Sequence, residues 1–205
     1  MRLYAPLTLL GIFLVVTQPG LPAQDGKGEK ERAIAEIKKL GGKVEVDRNR
    51  PGQPVVQVDL KHTKVIDASL EHLKGLTALE RVFLKETTVT DSGMVYIKGL
   101  TNLETLELGR TRVTDKGLEH LRGFSKLQRL DLGGTQVTDK GLEHLKGLTS
   151  LETLSLENAR GVSDSGLVHL KGLIHLRKLR LGGTKVTDAG VQDLQHALPR
   201  VTIIH

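Results

Sequence analysis

The chain has no cysteine and no tryptophan among its 205 residues, and aromatic side chains make up 2% of it. Without cysteine there is no disulfide framework, no thiolate metal site and no cysteine nucleophile. An oxidising compartment stays open, because a core built from mutually packing units needs no covalent staple. With so few aromatics, Leu, Val and Ile must fill the interior. Runs of like charge are missing as well. The formal net charge is +6, yet Lys and Arg alternate with Glu and Asp. That pattern argues against a basic nucleic-acid-binding arm and for a solvated surface of mixed charge. The apolar run over residues 7–16 is shorter than the ~20 residues a membrane-spanning helix needs. Phosphate-loop, metalloprotease and dinucleotide motifs are all absent.

What the N-terminus does contain has three parts: Arg2, the apolar run, and a small, polar stretch ending Leu21-Pro22-Ala23. Residues 1–23 therefore read as a secretory signal peptide, with an uncleaved N-terminal membrane anchor as the alternative. The mature chain is expected to be secreted or held in the periplasm or cell envelope, without a membrane span. Residues 24–54 read as a spacer followed by an N-terminal cap. A helix over residues 30–40 has Ile34, Ile37 and Leu40 on one face. Gly41-Gly42 ends it, since glycine adopts the left-handed conformation of a helix C-terminus. A strand over residues 43–47 follows, carrying Val44 and Val46, and then a turn containing Pro51, Gly52 and Pro54.

From Val55 onward the chain repeats itself. Asp67, Asp91, Asp115, Asp139, Asp164 and Asp188 are spaced 24, 24, 24, 25 and 24 residues apart. A fixed period in this range marks a solenoid. One copy, residues 100–123, shows the pattern. Leu103, Leu106 and Leu108 follow L-x-x-L-x-L, and the alternation across Leu106-Glu107-Leu108 predicts a strand with one buried face. Thr111 comes three residues later, with counterparts at Thr63, Thr87, Thr135 and Thr184, and then Val113. A helix starts at Thr114-Asp115, with Asp115 expected as its capping residue. Leu118 and Leu121 face inward, and Gly123 is expected to close the helix, as are Gly75, Gly99, Gly147 and Gly172. The threonine hydroxyls are expected to bond backbone groups of adjacent copies. The fifth copy has an extra residue and no threonine, so Asn158 is expected to substitute, with a small bulge after it. Residues 55–197 hold six copies, and residues 198–205 begin a seventh that supplies a final strand. A lone copy buries too little apolar area to offset the ordering of its backbone, whereas stacked copies bury each other's faces.

These letters resemble the leucine-rich repeat family. The match spans about three-quarters of the chain. Its 24-residue period and T-D-x-G-L helix start are similar to the subtype seen in F-box proteins, ribonuclease-inhibitor-like proteins and exported bacterial proteins. No F-box precedes the repeats here. The resemblance implies an α/β fold: a right-handed leucine-rich-repeat solenoid, or horseshoe, with a parallel concave sheet and short convex helices. It also implies a binding role without catalysis, cofactor or metal.

Side chains between the buried leucines line the sheet's open face. One column runs Gln57, Arg81, Thr105, Arg129, Thr153, Lys178. A second runs Asp59, Phe83, Glu107, Asp131, Ser155, Arg180, and a third Lys61, Lys85, Gly109, Gly133, Glu157, Gly182. Arg81, Phe83, Glu107, Arg129, Asp131, Lys178 and Arg180 are the candidate partner-binding residues, Phe83 being the only aromatic in the patch. An exposed aromatic flanked by arginines suits a protein interface. The competing reading is that Arg81, Glu107, Arg129 and Asp131 pair among themselves and keep the sheet soluble. A column of His72, Tyr96, His120, His144 and His169 sits one helix apart per member. That is too wide for shared metal ligation, where ligand nitrogens lie ~2 Å from the ion. Lys74, Lys98, Arg122, Lys146 and Lys171 complement helix C-terminal dipoles. The expected function is a monomeric protein-binding module that takes no nucleic acid. The alternative is an envelope polysaccharide or cell-wall binder, which would favour more stacking aromatics than the lone Phe83.

Overall fold

The computed structural model describes residues 26–205. The signal-peptide expectation for residues 1–23 lies outside them. The described residues open with helix α1 (Gly26–Lys39) and strand β1 (Lys43–Val46). Gly41, at φ +81°, takes the left-handed turn expected after the helix. Strands β2 (Val55–Asp59), β3 (Arg81–Phe83), β4 (Thr105–Glu107), β5 (Arg129–Asp131), β6 (Thr153–Ser155), β7 (Lys178–Arg180) and β8 (Thr202–Ile204) follow at repeat spacing. They form one eight-stranded sheet in chain order. β1 runs antiparallel to β2, and every later pair is parallel, with equivalent residues in register: Gln57 beside Arg81, Arg81 beside Thr105, and so on to Lys178 beside Thr202.

The alternating leucines dictate this arrangement. Val58, Val82, Leu106, Leu130, Leu154 and Leu179 stand in register on successive strands and all are buried. Helical turns lie on the other side of that core: α2 (Asp91–Ile97), α3 (Asp115–Leu118), α4 (Asp139–Leu142), α5 (Asp164–Leu167) and α6 (Asp188–Ala197). α3, α4 and α5 each tighten into a 3-10 turn after one α turn, so packing rather than propensity holds them. The position after the helical turn is Leu76, Leu100, Phe124, Leu148, Leu173 and Leu198, and Phe124 is the largest fully buried side chain among the described residues.

The helix caps differ from the sequence expectation. The capping residue is the hydroxyl side chain, not the aspartate. Thr114 Oγ1 accepts from Lys116 N at 3.3 Å, and Thr138 Oγ1 from Lys140 N at 3.3 Å. The aspartate one residue later reaches forward into the next copy in all but the last of these helices. Asp115 Oδ1 accepts from Thr138 N at 2.7 Å and Oδ2 accepts from Thr138 Oγ1 at 2.7 Å. The same pair of bonds joins Asp67 to Thr90, Asp91 to Thr114, Asp139 to Ser163 and Asp164 to Thr187. The glycine of the T-D-x-G-L motif follows from this. A Cβ on Gly93 would lie 2.6 Å from Asp67 Oδ1, and one on Gly117 would lie 2.6 Å from Asp91 Oδ1. The carboxylate of the preceding copy occupies the space a side chain would need. In the first copy the cap position is Ile66, which has no hydroxyl, and the whole helical segment (Asp67–Leu73) is 3-10.

Three further expectations are corrected. The threonine column bonds within its own copy. Thr87, Thr111 and Thr135 are buried, and each hydroxyl donates to the carbonyl of the leucine three residues before it, at 2.7, 2.6 and 2.6 Å. In the fifth copy Ala159, not Asn158, takes the threonine position, its N–H bonding Leu156 O as Thr135 N–H bonds Leu132 O. Asn158 instead takes the left-handed site before it, at φ +60°. Of the glycines expected to close the repeat helices, Gly75, Gly99, Gly123, Gly147 and Gly172, only Gly123 has a positive φ, +96°. Gly99, Gly147 and Gly172 stand in open space, so neither conformation nor crowding requires glycine there.

Leu130 is 2% exposed at the middle of the array. A carboxylate placed there has no partner and costs several kcal/mol, more than neighbouring copies can absorb. Leu130→Asp is expected to abolish the cooperative thermal transition followed by circular dichroism. A cooperative melt near that of wild type would contradict this packing.

Candidate functional site

The site surface is built by strands whose alternate residues cannot reach the core. With Leu106, Leu130 and Leu154 buried, their neighbours Thr105, Glu107, Arg129, Asp131, Thr153 and Ser155 must face solvent on the opposite side. The parallel register then stacks these residues in straight columns ~4.8 Å apart. The ladder continues past the strands, Glu86 N bonding Gly109 O and Arg110 N bonding Gly133 O, which keeps the third column aligned too. A shallow concavity of about 360 Å³ lies over this face, and Arg81, Phe83, Glu107, Arg129, Asp131, Lys178 and Arg180 all line it. The structure thus gathers all seven sequence-selected residues on one surface.

They do not pair with one another. Arg81 turns away from the centre: its Nε donates to Gln57 Oε1 at 2.7 Å and its Nη2 meets Glu45 Oε2 on β1 at 3.2 Å. Phe83 carries Lys61, whose Nζ stands 4.7 Å from the ring centre, a cation–π contact. Arg180 Nη1 reaches Glu157 Oε2 at 3.4 Å, while its buried Nε has no hydrogen-bond partner. Asp131 Oδ1 accepts from Gly133 N at 2.9 Å. Its other oxygen lies 2.7 Å from where a Gly109 side chain would begin, so Gly109 makes room for this carboxylate. Among the described residues Glu107, Arg129 and Lys178 form no ion pair. The reading in which Arg81, Glu107, Arg129 and Asp131 neutralise each other is therefore corrected. Three further members of the site, Glu45, Lys61 and Glu157, were not selected from sequence. Lys61 and Glu157 are visible in the third column, but Glu45 lies on an antiparallel strand outside the repeat, where no periodicity points to it.

Glu107 is the chemically unusual member. Burial holds its pKa above the ordinary carboxylate value; Lys61 opposes that shift, and Asp131 in register beside it adds to it.

The convex columns are dispersed. His72 is exposed and His120, His144 and His169 are half-buried, with His144 Nδ1 2.9 Å from Arg122 Nη2. Lys74, Lys98, Arg122 and Lys146 are exposed at the ends of helical turns. Among the described residues no helix is long and apolar enough to cross a membrane.

Comparison with known proteins agrees with the repeat geometry. A family model described as Leucine Rich repeat matches residues 99–121, 125–146 and 172–194. No curated protein matches the chain. An internalin (inlF) of Listeria monocytogenes superposes with a TM-score of 0.57 at 18% identity, covering 85% of this chain and 54% of that one. A leucine-rich-repeat protein of Leptospira interrogans superposes with a TM-score of 0.57 at 16% identity, covering 73% of this chain and 37% of that one. The chain spans about half the length of the internalin. At these identities the likeness is one of fold. The parallel sheet, the registered leucines and the matched repeats define the fold as an α/β leucine-rich-repeat solenoid.

A carboxyl whose pKa is raised by folding binds its proton more tightly in the folded than in the unfolded chain. Its ionisation therefore costs stability at neutral pH, and the cost is relieved as pH falls through the folded value. Glu107→Gln is expected to stabilise the protein at pH 7 by less than about 1 kcal/mol, since solvent screens a half-exposed group. The gap between variant and wild type, read by urea titration at several pH values, should close on acidification. A gap that widens toward low pH would contradict the assignment.

Proposed function

We propose that this chain is a non-catalytic binding module whose concave face docks a protein partner, and that it acts outside the cytoplasm after export. Residues 24–54 serve as a spacer and N-terminal cap, residues 55–197 as the six-repeat binding array and residues 198–205 as the closing strand. The observation that carries the reading is the division of labour within each copy. The leucines and valines that recur from copy to copy are buried and the aspartates Asp67 to Asp164 bond to a neighbouring copy, whereas the strand residues between the leucines vary and line one open surface. That surface combines an aromatic, both signs of charge and several charged groups without intramolecular partners, a composition suited to specific protein recognition. Export is supported by the three-part N-terminal segment.

Phe83→Ala combined with Arg129→Glu changes the face without touching the core. Wild type and this double variant, used as baits in native envelope extract and read by quantitative mass spectrometry, are expected to differ. A protein retained saturably by wild type should fall at least tenfold on the variant. Equal retention by both baits would contradict concave-face docking.

A further inference from the structure

We propose a second binding site, separate from the concave face, on the edge of the sheet formed by the turns that leave the strands, and we assign it an acidic polysaccharide as ligand. Each copy leaves its strand through one left-handed residue: His62, Glu86, Arg110, Gly134, Asn158 and Gly183, with φ between +55° and +75°. The side chains two positions later are set by a second backbone ladder along this edge. Arg112 N bonds Val89 O, Gln136 N bonds Val113 O and Lys185 N bonds Val162 O. The edge therefore projects side chains at fixed intervals, like the sheet itself.

Its charge is one-sided. Lys64, Arg110, Arg112, Arg160 and Lys185 are all exposed there. The acids on the same edge, Glu86 and Glu157, are already engaged, Glu86 by His62 at 2.9 Å and Arg110 at 2.8 Å, and Glu157 by Arg180. The opposite edge of the sheet carries Glu80, Glu104 and Glu152 against Arg50, Lys126 and Arg177, so charges balance there and the excess of cations belongs to this edge. Arg112, Arg160, Lys64 and Lys185 make no ion pair among the described residues.

The irregular fifth copy shapes a recess on this edge. Arg160-Gly161 stands where the fourth copy has Gln136 alone, and a space of about 640 Å³ opens between Arg110, Gln136, Asn158 and Arg160 around Gly134. Gly134 has no side chain, and the stem of Arg110 lies across it, 3.1 Å from where a Cβ would be. The charged and amide groups of the recess are guanidinium and carboxamide; it contains no carboxylate. Arg110 and Arg160 are two copies apart, ~10 Å at strand spacing, so the recess suits successive anionic groups on one polymer. Folded-protein interfaces place apolar residues at their centre, and single-stranded nucleic acids are held on aromatic platforms. This edge offers neither. A carboxylated or sulfated polysaccharide requires only cations and amides that bond its hydroxyls.

Titration calorimetry of the intact chain with polygalacturonate and with dextran sulfate tests the assignment and separates carboxylate from sulfate recognition. Polyglutamate and a single-stranded oligonucleotide complete the set of polyanions. Arg110→Ala with Arg160→Ala is expected to weaken binding of one polysaccharide at least tenfold. Lys98→Ala with Lys146→Ala removes the same charge from the convex side and is expected to change binding less than twofold. All four residues are exposed, and thermal melts verify that both variants fold. Equal losses in the two variants, no loss in the edge variant, or tighter binding of polyglutamate or the oligonucleotide through Arg110 and Arg160 would each overturn the proposal. Phe83→Ala with Arg129→Glu should leave polysaccharide binding intact, which separates this site from the concave face.

Discussion

Asp67, Asp91, Asp115, Asp139 and Asp164 each bind, with both carboxylate oxygens, the residue at the helix N-terminus of the next copy. The hydroxyl that donates to the aspartate also accepts from its own helix at Thr90, Thr114, Thr138 and Thr187. Helix initiation in one copy is thereby tied to the position of the copy before it. Hydrophobic burial holds the copies together, but it is non-directional and would tolerate sliding. A two-point carboxylate contact fixes register, because bonds to a charged acceptor are strong and directional. At the array's last junction, Asp164 has its pKa lowered, first by the N–H of Thr187 and then by its hydroxyl. That direction means the contact contributes stability above the unfolded carboxylate range and loses it as pH falls through the lowered value.

The fold was legible because its causes are periodic. Leucine alternation, the 24-residue step and the helix-start motif each occur often enough for copies to be aligned against one another. What periodicity could not reveal was the direction of bonds. Thr114-Asp115 reads as a cap from either residue, and only the structure shows threonine capping while aspartate reaches ahead. The buried Thr111 column likewise looked like a link between copies but satisfies a carbonyl of its own. Asn158 shows the same limit: its residue type suited two neighbouring sites, and backbone conformation decided between them. For the concave face, the sequence placed all seven residues on one surface because strand alternation is rigid. It could not show that Arg81 turns toward Glu45, since that acid stands on the antiparallel strand outside the repeat.

Functional readings follow from where the copies differ. A solenoid holds its backbone constant, so variation among copies becomes a pattern of side chains on a fixed lattice. The concave lattice carries mixed charge and one aromatic, and the edge lattice carries mostly cations with a recess at the one irregular copy. These compositions suit different ligands, and a repeat array has room to present both.

A double-mutant cycle on Asp115 and Gly141 tests the central claim most directly. A side chain on Gly141 would collide with the Asp115 carboxylate. Gly141→Ala is therefore expected to destabilise the protein in the wild-type background and to cost much less once Asp115→Ala has removed that carboxylate. The coupling, from urea denaturation of the four proteins, should be at least about 1 kcal/mol. Equal costs of Gly141→Ala in both backgrounds would mean that the carboxylate does not set the geometry between copies, and the account would be wrong at its base.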